Sequence, residues 1–302
     1  MGLFDRQKEP VFLKTDSEAE KQLAALRKLR GPDGGESTSR LAQEIRIVEA
    51  GIAGEERILF ELKNSHMPMY ILHDLFLERE GLTAQIDYLI VTPYDHFVLE
   101  CKNLFGNIEV NDRGEFIRTF NFGRETRKEG IYSPITQNRR HLELIRQIRA
   151  DTKGFIGKAL FEKNFYDTYR SLIVLANPKT VVNMGRAPKD VQAQILRADQ
   201  LVAHIRERSE KRSDRMSDKA TEELARFFLD AHRPQNIDYL AKYRKQFASD
   251  LPKAAKPESV VCPKCGAPMV KRKAQKGKNA GQEFYGCSRY PKCRGILNIK
   301  PT

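Results

Sequence analysis

A chain of 302 residues with 40% apolar side chains is long enough for one sizeable core and a smaller module. Charged residues make up 31% and net +13, which an acidic small molecule does not require. A polyanion explains it better, with a plain basic soluble protein as the alternative. Nothing approaches the ~18 apolar residues of a membrane span, and the start, Met1-Gly-Leu-Phe-Asp-Arg6, lacks an apolar signal core.

In chain order, residues 16–30 read as a short charged helix with Leu23, Leu26 and Leu29 on one side, followed by a Gly/Ser-rich break over 31–39. A longer helix is expected from about Arg40 to Leu62, with an interruption near Gly51 and Gly54. The centre is β-rich. Strands are expected over Met69–Leu77, Ala84–Thr92, Phe97–Lys102, Asn107–Val110 and Glu115–Phe122, with a turn at 93–96. Ser133-Pro134 supplies the N-cap and first residue of a helix running to about Ala150. Leu172–Ala176 reads as a buried strand and Ala198–Arg206 as a helix. Residues 209–250 form a charged helical segment with Leu224, Phe227, Phe228, Leu240 and Tyr243 apolar, and 251–257 a linker.

Four of the five cysteines lie near the C-terminus, as Cys262-Pro-Lys-Cys265 and, after 21 residues, Cys287-Ser-Arg-Tyr-Pro-Lys-Cys293. Two close pairs can complete a tetrahedron of thiolates, which suits a structural zinc. Residues 259–302 hold ten cations against Glu283 alone. Lys271, Arg272, Lys273 and Arg289, with Phe284, Tyr285 and Tyr290, give the mixture of charge and rings that a nucleic-acid contact uses. The fifth, Cys101, reads as core filler, and the absence of an evident disulfide framework fits a reducing cytoplasm.

A second constellation lies in the β-rich centre. With a loop over 93–96, Asp87 faces Lys102 and Leu89 faces Glu100, so Asp87, Glu100 and Lys102 share one sheet face. A one-residue slip would undo this. Acids on an apolar face need a partner or a metal. One reading is Mg2+ or Mn2+ held by Asp87 and Glu100, activating water against a phosphate, with Lys102 alongside. The other is an ordinary salt-bridged cluster at strand ends. Glu55 shares the apolar stripe of its helix with Ile52, Leu59 and Leu62, where a metal or a lysine would satisfy it; a helix-start Glu favoured by the macrodipole is the alternative. Gln137, one turn from His141, can face the sheet as a hydrogen-bonding residue.

The order Gly51-x-x-Gly-Glu55, Gln85-Ile-Asp87, Glu100-Cys-Lys102-Asn103, Gly106 and Ser133-Pro-x-x-Gln137 resembles the nuclease-related domain (NERD), itself similar to the restriction-endonuclease superfamily, over roughly residues 46–206. The resemblance implies an α/β fold, a mixed sheet flanked by helices, and phosphodiester hydrolysis. It makes Asp87, Glu100 and Glu55 the Mg2+ ligands, Lys102 the catalytic lysine and Gln137 the polar residue of the later helix. Many members carry a Trp shortly after the Gly106-type turn; this chain has no Trp, and Phe116 or Phe120 substitutes. Residues 262–293 resemble the four-cysteine zinc module of type IA topoisomerases, which implies DNA as partner, single-stranded DNA among its forms.

The expected organisation is a helical N-terminal extension (1–45), a nuclease-related domain (46–208), a helical segment and linker (209–257) and a zinc ribbon (258–302). The expected function is a metal-dependent DNA nuclease of the cytoplasm anchored by its ribbon. The alternative is a DNA-binding adaptor with a silent nuclease fold, its helical segments 16–50 and 209–250 docking a protein partner.

Overall fold

The structure is a computed structural model, and it describes residues 9–30, 39–123, 125–235, 238, 241, 261–274 and 282–298. The chain divides into two compact units, residues 1–242 and 243–302.

The first unit runs β1 (Pro10–Lys14), α1 (Glu18–Arg30), α2 (Ser39–Lys63), β2 (Met69–Arg79), β3 (Leu82–Val91), β4 (His96–Lys102), β5 (Asn107–Val110), β6 (Phe116–Phe122) and β7 (Glu125–Ile131). It continues with α3 (Pro134–Asp151), α4 (Phe155–Thr168), β8 (Tyr169–Leu175), β9 (Val182–Asn183), α5 (Lys189–Gln192), β10 (Ile195–Arg197), a 3-10 turn (Ala198–Gln200), α6 (Leu201–Glu210) and α7 (Asp218–Ala231). Six strands form a mixed sheet in the order β1-β2-β3-β4-β8-β10, and β7-β6-β5-β9 form a second sheet.

Helices cover both faces of the larger sheet, as its near-continuous apolar strands require. On one face, Leu142 and Ile145 of α3, Phe165 of α4 and Phe228 of α7 pack against Leu72, Leu89 and Val98. On the other, Ile58 and Leu62 of α2 and Leu201 and Ile205 of α6 pack against Ile71, Tyr88, Phe97 and Leu99. A third apolar cluster joins the two sheets through Ile108, Val110, Phe116, Ile173 and Leu175.

Several expectations are corrected. The helix after residue 39 is unbroken, because glycine at 54 is a packing device: a Cβ there would stand 2.6 Å from the Asn103 Cβ and 3.2 Å from the Cys101 sulfur. That close approach lets α2 lie flat on β4. The N-terminal extension is not purely helical, since β1 pairs in parallel with β2. Two further elements, β7 and α4, were not foreseen. The sequence of β7, Glu-Thr-Arg-Lys-Glu-Gly-Ile, has no apolar alternation, and its pairing with β6 from Phe116↔Ile131 to Phe122↔Glu125 makes it a strand. The Ser133 cap is as expected, its hydroxyl accepting from the Thr136 amide. The break at 31–38, Leu240, Tyr243 and the linker 251–257 lie outside the described residues.

The second unit contains β11 (Met269–Lys273), β12 (Glu283–Cys287) and β13 (Ile296–Asn298), one antiparallel three-stranded sheet.

Candidate active site and zinc centre

The turn between β3 and β4 spans 92–95, one residue earlier than expected. Thr92 closes it, its amide and hydroxyl both donating to the Asp95 carbonyl, at 3.1 and 2.8 Å. The ladder then pairs Val91 with His96 and Tyr88 with Leu99. Moving the loop by one residue shifts every cross-strand pair by two, so facing parity survives. Continued past its last pair, this register would set Asp87 across from Glu100 rather than from Lys102, and Glu100 and Lys102, two apart on β4, share a face.

The ladder stops at Tyr88↔Leu99, and the Asp87 side chain fills the fork beyond it, with Oδ2 accepting the Cys101 amide at 2.6 Å. On the opposite side of β3, the β2 register passes from His73↔Tyr88 to Leu75↔Ile86, leaving Asp74 and Asp87 unpaired across from each other. Asp74 has a positive φ of 51°. This break inverts the pleat of both strands, so that Leu72 and Leu75 reach the same apolar cluster. Asp74 is itself held by the Gln85 amide at 2.8 Å and by the Glu18 backbone amide at the start of α1.

Glu100 is buried. Its Oε1 accepts from Lys102 Nζ at 2.5 Å, and Lys102 also donates to Gln137 Oε1 of α3 at 3.3 Å. Glu100 Oε2 is buried with no hydrogen-bond partner, 3.9 Å from His141 Nδ1, which also lacks one. Burial and the nearby Lys102 charge pull His141 down to about 4, so it sits there uncharged. Burial holds the Glu100 carboxyl above its ordinary range against the pull of Lys102. Asp87 is held well above, by burial and then by the charges of Glu100 and Glu55.

Glu55 comes to this place from α2, on the other sheet face. Its Oε2 contacts His73 Nε2 at 2.8 Å, while His73 Nδ1 faces the Thr15 carbonyl at 3.3 Å. Both neighbours offer acceptors, which an imidazolium would satisfy together. Burial works against that charge, but the Glu55 bond and charge outweigh it and raise the His73 pKa. Tyr88 stacks on His73 at 4.6 Å and donates its hydroxyl to the Glu55 carbonyl at 2.9 Å.

These side chains meet where α2, α3 and the parted strands β3 and β4 converge, but the three carboxylates are not drawn to a point. Among the described residues, the four cysteines are the one group of three or more metal-ligating side chains whose donor atoms all lie within 4.8 Å of one another. The donor set still suits a hard divalent ion: oxygen ligands, an orphaned buried acceptor on Glu100, and the Asp87 and Glu100 carboxyls raised chiefly by burial. His73, Asp74 and His141 were missed in the sequence. The polar pair His73-Asp74 inside the apolar run Met69–Leu77 was the available signal. Of the two Trp substitutes, Phe116 belongs to the core and Phe120 packs on the glycine turn, its Cβ 3.0 Å from where a Gly106 Cβ would lie.

In the second unit the sulfurs of Cys262 and Cys293 are 3.7 Å apart and those of Cys265 and Cys287 3.5 Å. The Arg289 amide points at the Cys287 sulfur at 3.4 Å, as amides do toward thiolates in zinc knuckles. A Cβ on Gly295 would fall 2.2 Å from the Cys262 sulfur, so only glycine fits beside the cluster. The residues fit a structural zinc.

The ribbon divides the expected nucleic-acid set between its faces. Arg272 pairs across from Phe284, and Lys271 across from Tyr285, so the two pairs point opposite ways. Arg272, Lys273, Phe284 and Tyr290 line a groove of about 840 Å³ with Arg294, which had not been singled out. Arg272 lies over the Tyr290 ring at 5.7 Å. Lys271 is paired with Glu283 at 2.5 Å, and Tyr285 and Arg289 do not line the groove.

Among the described residues no helix is long and apolar enough to cross a membrane. No curated protein and no solved structure matches the chain. Two family profiles do. One is that of the nuclease-related domain, over residues 50–176, and the other that of the topoisomerase DNA-binding C4 zinc finger, over residues 259–302. The chain thus carries a nuclease-related domain, which holds Glu55, Asp87, Glu100, Lys102 and Gln137, and a C-terminal topoisomerase-type zinc finger, which holds all four clustered cysteines.

Proposed function

We propose that the protein is a metal-dependent deoxyribonuclease whose zinc ribbon holds the DNA. The supporting observation is the meeting of Asp87, Glu100 and Lys102 where β3 and β4 part, with Lys102 Nζ 2.5 Å from Glu100 Oε1. Asp87 and Glu100, with Glu55, would hold Mg2+ or Mn2+. When bound, that ion polarises the phosphodiester and lowers the pKa of water. Lys102, half-exposed at the end of β4, offsets negative charge developing on the phosphoryl oxygens, and Gln137 fixes the direction of its Nζ. His73 holds Glu55 from behind, and the ring stack on Tyr88 keeps that imidazole from rotating.

The second reading is a DNA-binding adaptor with a silent nuclease fold. It is favoured by the internal engagement of each carboxylate: Asp87 with an amide, Glu100 with Lys102, Glu55 with His73. Purified protein incubated with Mg2+ or Mn2+ and defined single- and double-stranded DNA separates the two. Metal-dependent hydrolysis that disappears in Lys102→Ala supports the nuclease. Salt-sensitive binding without hydrolysis in either metal supports the adaptor.

A further inference from the structure

We infer that the rim of the candidate catalytic centre binds an unpaired DNA strand, whose bases stack on the Phe105 and Tyr132 rings. The location rests on the nuclease reading; the contact itself is measurable without cleavage. Phe105 is 66% and Tyr132 59% exposed, yet neither stands on loose backbone. The Leu104 carbonyl accepts from Asn177 Nδ2 at 2.8 Å and from Thr180 Oγ1 at 2.9 Å. Gly106 turns at φ 93°, where a Cβ would meet the Thr119 carbonyl at 2.5 Å. Phe105 is therefore fixed between two clamped neighbours. Tyr132 lies between Ile131, which packs on the third core cluster, and Ser133, the cap of α3. The scaffold holds both rings in water although the core uses neither.

Their placement ties them to the chemistry. Phe105 follows Lys102 by three residues, Tyr132 precedes Gln137 by five, and Lys102 and Gln137 touch at 3.3 Å. Chain length alone keeps the Phe105 Cα within about 11 Å of the Lys102 Cα. One ring thus stands on each chain segment leading to the Lys102–Gln137 contact.

The charge beside the rings is positive. Arg140 lies 5.8 Å over the Tyr132 ring. The acids of β7 are taken: Glu125 pairs with Arg127 and Glu129 with Arg118. Arg140 is exposed and makes no ion pair among the described residues. Exposed rings with a guanidinium held beside one of them match a strand whose bases are free and whose phosphates are close. A blunt duplex hides its base faces in the stack, so the surface selects single strands, frayed ends or flaps.

The test is photocrosslinking of the full chain to a bromodeoxyuridine-substituted single-stranded oligonucleotide, in zinc-containing buffer without Mg2+ or Mn2+, with peptide mapping. Crosslinks at Phe105 or Tyr132 are expected, beside those of the ribbon, and few from the blunt duplex. Phe105→Ala and Tyr132→Ala should each weaken strand binding about fivefold or more, with Tyr132→Phe retaining it. Unchanged melting temperatures exclude misfolding of these surface variants. Crosslinks confined to the ribbon, or equal crosslinking by the blunt duplex, overturn the inference. Crosslinks at the rings without hydrolysis in a parallel Mg2+ assay sink the nuclease reading and leave the surface standing. Hydrolysis without such crosslinks does the reverse.

Discussion

Asp87 takes the place of a backbone acceptor for Cys101: its Oδ2 receives the amide at 2.6 Å, just past the last ladder pair, Tyr88↔Leu99. A side chain that completes a strand pairing cannot wander, so the fork between β3 and β4 fixes one carboxylate. Glu100, one residue before Cys101, is fixed by Lys102. What is left over is negative charge in a buried place, and the first prediction follows from it.

Glu100 is buried and its pKa is raised, so its ionised form is less favourable folded than unfolded. For an acid raised in the folded state, stability is greatest below its pKa and is lost as pH rises through it. Once ionised, the buried carboxylate therefore weakens the fold. Glu100→Gln should melt at a higher temperature than the parent and, on the nuclease reading proposed above, lose at least about a hundredfold in cleavage rate. Calorimetry and a single-turnover cleavage assay check the two halves, and a lower melting temperature would count against the account of the site.

Gly54→Ala should destabilise the first unit by roughly 1–3 kcal/mol. Alanine favours a helix over glycine by about 1 kcal/mol. Here its Cβ would press to 2.6 Å from the Asn103 Cβ, and Asn103 also ties β4 to α2 through the Ala50 carbonyl. Urea denaturation measures the difference. A stabilising outcome would mean α2 can shift away from β4 freely.

His96 opens β4 with its Nδ1 buried and unpartnered, edge-on to Tyr169. Burial, reinforced by Arg149, depresses its pKa from 6.5 to about 3. Between those values the unfolded chain takes a proton that the folded chain refuses, so stability falls with acidification, by up to about 1.4 kcal/mol per pH unit. His96→Phe should keep the ring packing and lose less stability on acidification through that window. Denaturant midpoints across the range decide it.

Cys287→Ser should lower the zinc content and weaken DNA binding while leaving the thermal transition of the first unit in place. The cysteine lies within the four-sulfur cluster and at the end of β12, so the ribbon sheet is built around it. Zinc content by elemental analysis and DNA affinity at several salt concentrations are the measurements. A shallower salt slope in the variant gives the number of phosphate contacts the ribbon supplies.

The pairing of the two central strands was legible in the sequence, because a turn placed one residue away preserves strand parity. A loop one residue later moves each pair by two, and what the alternation did not show is the end of the ladder at Tyr88↔Leu99 and the break opposite Asp74. The continuity of α2 was not legible, since glycine reads locally as a helix breaker and its use against Asn103 depends on a contact 49 residues away. His73 and Asp74 escaped notice for a similar reason. Their roles depend on Glu55, Thr15 and Glu18, brought together only when β1, α1 and α2 pack. In the zinc unit the ligand spacing was fully written in the sequence. The division of its basic and aromatic residues between two faces was not, because it follows from the β11–β12 register.

The strand Pro10–Lys14 lies along Met69–Leu72, whose side chains are buried. Without those first residues, one of the most apolar strands of the chain would present bare amides and carbonyls to neighbouring molecules. Trimming the protein past residue 14 should therefore make it prone to edge-to-edge aggregation.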